Sequence, residues 1–179
     1  MVRKEVLTHL ISALILAILI SLLNFQLKFS LIFFWLGTIL GSFLLDIDHF
    51  FYTYFLAPYE FTSQRAKRLF EQKRYQEGII LLLETQEERG RMIFHSVLFQ
   101  VILLILTFFV LTSSASLFGK GICLGMLLHS LVDQGMEFIK NGEIDNWFWQ
   151  FRERPATNIQ GIYFAFVFLL FVVFSLLWI

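Results

Sequence analysis

Five apolar runs divide the chain, and their length constrains it more than any other feature. They cover about residues 6–23, 29–45, 92–111, 117–138 and 162–179. A helix needs roughly 20 apolar residues to cross the hydrocarbon core of a bilayer. Inside lipid, every backbone polar group must find its partner within the protein. At 58% hydrophobic over 179 residues, the chain exceeds what a soluble domain of its size carries. It therefore reads as one all-α membrane domain, residues 1–179: a polytopic helical bundle of about five transmembrane helices.

The segments between the runs are short, with two exceptions. Met1-Val2-Arg3-Lys4-Glu5 and the apolar run behind it resemble a signal peptide. No small-x-small cleavage site follows, so this is expected to be an uncleaved first span. Residues 24–28 form a turn, and 112–116 a short loop. Residues 61–91 are polar, with Ala66, Leu69, Phe70, Ile79, Leu82 and Leu83 at helical spacing. This pattern predicts a cytoplasmic amphipathic insertion of one or two helices, bent near residues 73–78, able to lie on headgroups. Residues 140–160 are polar but hold Trp147, Phe148, Trp149 and Phe151, which suggests a re-entrant or surface-lying loop. Pro58 and Pro155 both fall between runs, as helix breakers should. The last run has no ionisable group and is expected to be lipid-facing scaffold.

Charge sets the orientation. Five spans put alternate loops on opposite sides, and twelve of the fourteen Lys and Arg residues collect on one of them. Only Lys28 and Lys120 lie on the other. The positive-inside rule then places the amino terminus and both longer loops in the cytoplasm. A net charge of zero offers no basic field for a nucleic-acid partner. The single Cys123 excludes an internal disulfide and a Cys-rich zinc site.

Against this apolar background the histidines and buried acids stand out. His9 lies one turn into the first run, and Asp46, Asp48 and His49 close the second. His95 lies one turn into the third, and His129 and Asp133 occupy the later part of the fourth. All seven fall on the cytoplasmic half. Ionisable groups at such positions are expensive and point to function. His129 and Asp133 are four apart and share a helix face. Asp46 and His49 are three apart and share one if the helix continues; Asp48 then points away unless the helix unwinds. Bundles build metal sites by offering ligands from several helices at one level. His9, Asp46, Asp48, His49, His95, His129 and Asp133 are therefore candidate ligands for one or two divalent ions. Zinc best suits mixed imidazole and carboxylate ligands, with manganese or iron as alternatives. Ser96 and Ser130 follow histidines and read as packing or supporting hydroxyls. Glu5, Glu137 and Glu143 lie near the same face.

These residues resemble the predicted membrane-bound metal-dependent hydrolase family, whose bacterial members include LexA-regulated inner-membrane proteins. The matching pieces are Thr8-His9, the stretch Gly41-Ser42-Phe43-Leu44-Leu45-Asp46-Ile47-Asp48-His49, Arg91 with His95-Ser96, and His129-Ser130-Leu131-Val132-Asp133. They occur in family order. Leu45 stands where the pattern has proline, and Gly90 where it has a histidine. The pattern is in turn similar to that of zinc-dependent phospholipase C, which implies phosphoester hydrolysis. A lipid-like phosphoester of the inner, cytoplasmic membrane face is the implied substrate, with membrane lipid as partner. Asp48 or Asp46 would orient or deprotonate the attacking water, with Asp48 preferred. Arg91, one turn before His95, is a candidate contact for the substrate phosphate. The alternative is a metal-binding or transport-related membrane protein without hydrolysis. A third possibility is a structural membrane partner with a degenerate site.

Overall fold

The computed structural model describes residues 2–23, 29–85, 89–113 and 116–177, the side chains of residues 2, 3 and 5 excepted. The expected turn at 24–28, the tip of the 112–116 loop and any role for the Glu5 side chain lie outside the described residues. The elements are α1 (Val2–Leu23), α2 (Leu31–Leu44), α3 (Ile47–Phe51), a π-helical turn (Tyr52–Leu56), α4 (Phe61–Glu71), α5 (Tyr75–Glu84), α6 (Val97–Thr112), α7 (Leu117–Asn141), a 3-10 turn (Asp145–Phe148) and α8 (Thr157–Leu177). Among the described residues there is no strand, and the expected all-α membrane-type bundle is what forms.

Four stretches are long and apolar enough to cross a membrane: Val6–Leu23, Leu31–Leu56, Leu117–Asn141 and Thr157–Leu177. α6 is shorter, at 16 residues. The third span was expected from residue 92, but residues 91–96 are not helical. The reason is local. Ser96 is extended and caps α6, its hydroxyl accepting from the Phe99 amide at 3.3 Å. The chain before it forms an irregular strap across the end of the bundle. The second span runs past residue 45, because α3 and the π-helical turn continue it. The exposed side chains along these helices, such as Leu7, Ile15, Phe33, Leu98, Phe109, Phe166 and Leu169, form an apolar outer face that suits acyl chains.

α7 lies at the centre. It packs on α1, α2, α6 and α8 around a core that includes Leu16, Ile20, Phe34, Leu103, Leu124, Leu127 and Phe171. Its closest partner is α2. Gly37 and Gly41 of α2 face Gly121 and Gly125 of α7. A Cβ on any of the four would come within 3.0 Å of backbone on the other helix, at the carbonyls of Phe118, Ile122, Phe34 and Thr38 respectively. The two Gly-x-x-x-Gly patterns thus permit backbone contact where lipid supplies no hydrophobic drive. A second tie crosses α6, α7 and α8. The Gln100 and Gln134 amides bond reciprocally at 2.9 and 3.2 Å, and the Tyr163 hydroxyl donates to Gln100 Oε1 at 2.5 Å. α8 is therefore more than lipid-facing scaffold, because its Tyr163 and Gln160 join buried polar networks.

The two longer loops sit at the end of the bundle that carries the histidines. The insertion folds as a helical hairpin, as its periodicity predicts. Its bend is a C-cap at Gln72–Arg74: Lys73 N bonds Phe70 O at 3.0 Å and Arg74 N bonds Leu69 O at 2.9 Å. Lys73 occupies the left-handed region there (φ 61°), a position that favours glycine. The aromatic loop after α7 departs from the surface-lying expectation. Trp147 and Phe148 are buried with Ile144 and Val97, and Trp149 Nε1 donates to the Met92 carbonyl at 2.9 Å. Indole rings find an apolar bed against the strap and the ends of α7 and α8, so the loop braces the site.

Candidate metal centre

Three imidazoles and two carboxylates converge from four separate segments. His9 Nε2 of α1 is 3.1 Å from Asp133 Oδ1 of α7. His129 Nε2, one turn earlier on α7, is 3.0 Å from Asp133 Oδ2. His95 Nε2, from the strap, is 3.2 Å from the same oxygen. Asp46 Oδ1, at the end of α2, is 3.7 Å from His129 Nε2. The His9 and His129 rings stack with centroids 4.0 Å apart. His49 faces His95, with ring centroids at 5.9 Å.

The backbone explains how Asp46 and Asp48 part company. At the end of α2 the helix tightens: Asp46, Asp48 and His49 amides each bond the carbonyl three residues back, at 3.2, 2.9 and 3.1 Å. Three-residue bonding advances successive side chains further around the axis than α-geometry does. Asp46 and His49 then face the cavity, and Asp48 turns behind His95. Asp48 is fully buried, and its Oδ2 accepts from the Phe94 amide at 2.6 Å and the His95 amide at 3.3 Å. The same oxygen lies 3.3 Å from His95 Nδ1. Asp48 therefore secures the non-helical strap and orients its imidazole, a supporting position rather than the water-facing one expected of it.

The donor set fits a divalent cation. His129 Nδ1 lies 2.5 Å from the Ser42 carbonyl, which has no proton to give, so the imidazole N–H is the donor. In a neutral ring, Nε2 is then a lone pair aimed at a carboxylate oxygen. Such a pair repels unless a cation or a proton lies between. The 3.0–3.7 Å spacings also approach the ~3.4 Å between ligand atoms in a tetrahedral site with ~2.1 Å bonds. His9, His129 and Asp133 form one compact donor group, and Asp46, His95 and His129 another. Both include His129, whose Nε2 faces Asp46 and Asp133. His9 Nδ1, His49 Nδ1 and Asp48 Oδ1 are buried without hydrogen-bond partners, but His49 and Asp48 join neither compact donor group among the described residues.

His9, Asp46, His49, His95 and Asp133 line a cavity of about 330 Å³, with the buried His129 outside its wall; the walls mix apolar Val6, Leu83, Met92 and Met136 with Glu137, Asn146 and Trp147. Arg91 is exposed and lies outside that lining; Arg89, two residues earlier, is buried and inside it. Gly90 also lines the cavity, and a Cβ there would meet only Asn146 Oδ1, at 3.6 Å. The histidine of the family pattern is thus replaced by open space. Ser96 caps α6, and the Ser130 hydroxyl donates to Leu127 O at 2.9 Å; neither is aimed at the centre. Glu137 is a cavity wall, whereas Glu143 is not. Sequence reasoning did not single out Ser42 or Arg89. Ser42 acts through its carbonyl, which no side-chain pattern reveals.

Asp48→Asn tests the supporting role. It keeps an acceptor for the strap amides but removes the charge beside His95. Metal affinity is expected to fall by about 10- to 100-fold, as for other groups that orient a ligand. Chelator competition on the purified protein measures it, and unchanged affinity would remove Asp48 from the account.

No curated protein and no solved structure matches the chain. The model of one family, described as YdjM inner membrane protein, matches residues 5–179. With nearly the whole length matched and apolar helices of spanning length, this chain belongs to the YdjM inner membrane protein family.

Proposed function

We propose that this inner-membrane protein is a metal-dependent hydrolase of a phosphoester on a lipid-like substrate. The observation that carries the proposal is the convergence of His9, His95, His129, Asp46 and Asp133, with four His–carboxylate pairs at 3.0–3.7 Å and all but His129 in the wall of a cavity with apolar and polar sides. Those five residues would hold the ion, zinc first, manganese or iron as alternatives. Bound there, a divalent ion supplies Lewis acidity toward water and a phosphoryl oxygen. Ser42 holds the His129 tautomer, and Asp48 holds His95. Asp46 is the most exposed of the five, at 30% of its side-chain surface, and is the group to accept a proton from attacking water. Val6, Leu83 and Met136 offer an apolar wall to a substrate tail.

The site end is assigned to the cytoplasm, with the amino terminus. Twelve of fourteen basic residues lie in the segments at that end of the bundle. Phospholipids would then present their headgroups at the depth of the cavity.

The test uses full-length protein in detergent, loaded with zinc or manganese and offered labelled phospholipids. Turnover is expected, and Asp46→Asn is expected to slow it by about 10²–10⁴. Absence of turnover with either metal, or turnover that survives both Asp46→Asn and His129→Ala, counts against the proposal. The open space at Gly90 favours the alternative, metal binding or transport without hydrolysis. Metal uptake into proteoliposomes without lipid turnover would select it.

A further inference from the structure

We infer that the cavity beside the centre is a phosphate-anion site, with Arg89 as its recognition element and Lys140 assisting. This rests on the metal-centre reading above and adds a residue and a condition to it. Arg89 is only 5% exposed, although it is permanently charged. Its Nη2 donates to the Leu82 carbonyl and to the Thr85 hydroxyl, at the carboxyl end of α5. Those acceptors, at the negative end of a helix dipole, hold the side chain in place. It stands as a cavity wall, close enough to His49 to act on it electrostatically. Planar, forked donors of this kind match phosphate oxygens.

Charge arithmetic supplies the condition. The cavity walls carry three carboxylates, Asp46, Asp133 and Glu137, against the two cations Arg89 and Lys140. With neutral imidazoles the sum is minus one, which repels an anion. One divalent ion reverses the sign. Phosphate affinity should therefore depend on bound metal, and by linkage phosphate should tighten the metal by the same factor.

The experiment is calorimetric titration of full-length protein in detergent, with and without zinc. One arm uses inorganic phosphate and the other dihexanoyl phosphatidate. Zinc-loaded wild type is expected to bind, and zinc-free protein at least ~10-fold more weakly, as loss of a charge-assisted contact implies. Arg89→Gln, at unchanged zinc stoichiometry, is expected to lose at least ~10-fold, whereas Arg91→Gln keeps wild-type affinity. Arg89→Lys keeps the charge without the fork, and is expected to fall between wild type and Arg89→Gln. It decides the matter if Arg89→Gln does not fold, and wild-type affinity in it would then overturn the inference. Tighter binding of phosphatidate identifies a lipid headgroup, and equal binding identifies free phosphate. Zinc-loaded Arg89→Gln that binds like wild type, or zinc-loaded wild type that binds neither probe, overturns this inference and leaves the centre standing. Failure to bind zinc overturns both.

Discussion

Asp133→Ala is expected to abolish the metal binding proposed above. Its carboxylate touches all three imidazoles, His9 at 3.1 Å, His95 at 3.2 Å and His129 at 3.0 Å. No other side chain here does so. Removing it withdraws the negative charge that would offset the ion and the group that fixes the spacing of three rings. Affinity should fall by more than the ~10–100-fold typical of supporting residues, so by at least ~100-fold. Elemental analysis of wild type beside Asp133→Ala measures this. Equal metal content in the two proteins would mean that the cluster is an ion-pair network, with His129 protonated where the cation was placed. Asp133→Asn separates charge from shape: it keeps the volume and one oxygen, and its affinity should lie between the two.

Gly125→Leu is expected to take the bundle apart at the α2–α7 seam. A Cβ at Gly125 already comes within 3.0 Å of the Thr38 carbonyl oxygen and reaches the Ser42 amide at 3.0 Å. Both are backbone atoms, which cannot swing aside, so the helices must separate. Overpacking a well-packed core costs about 1–3 kcal/mol, and contact against backbone should reach or exceed the top of that range. Thermal unfolding in detergent reads the loss. Gly135→Ala is the control, because a Cβ there meets only Phe164 Cζ, at 3.7 Å. A milder effect should accompany Gly125→Ala. Ser42 lies one residue after Gly41 on the same seam, and its carbonyl holds His129 at 2.5 Å. Displacing α2 by even a fraction of an ångström loosens that bond, so metal affinity should fall before the fold does. Wild-type melting in Gly125→Leu would show that the seam is not a determinant of the bundle.

The two predictions share a cause: the centre is assembled by helix packing, and no short segment contains it. The sequence places His9, Asp46, His95, His129 and Asp133 at the ends of apolar runs, and burying charge there is so costly that convergence is the economical expectation. The Gly-x-x-x-Gly pairs are present in the sequence but were not singled out from it. Which helices they join is not legible there, because a small residue fits any close neighbour. Arg91 and Arg89 show the same limit. Both flank the third run and both carry a positive charge, yet only Arg89 is buried in the cavity wall.

What the chain's sequence determined alone was the class and the end of the molecule that matters. Run length and hydropathy dictate membrane helices, since lipid forbids unpaired backbone. The order of the runs brings every histidine to one end. Tertiary structure decided the roles. A tightened turn at Leu45–Asp46 sends Asp46 toward the cavity and Asp48 behind His95, and an extended strap, capped by Ser96, replaces the first turn expected of the third span. The reason is physical. Hydrophobicity acts over whole segments and survives small changes of register. Ligand geometry depends on rotations of tens of degrees, which hydrogen bonds between distant residues set.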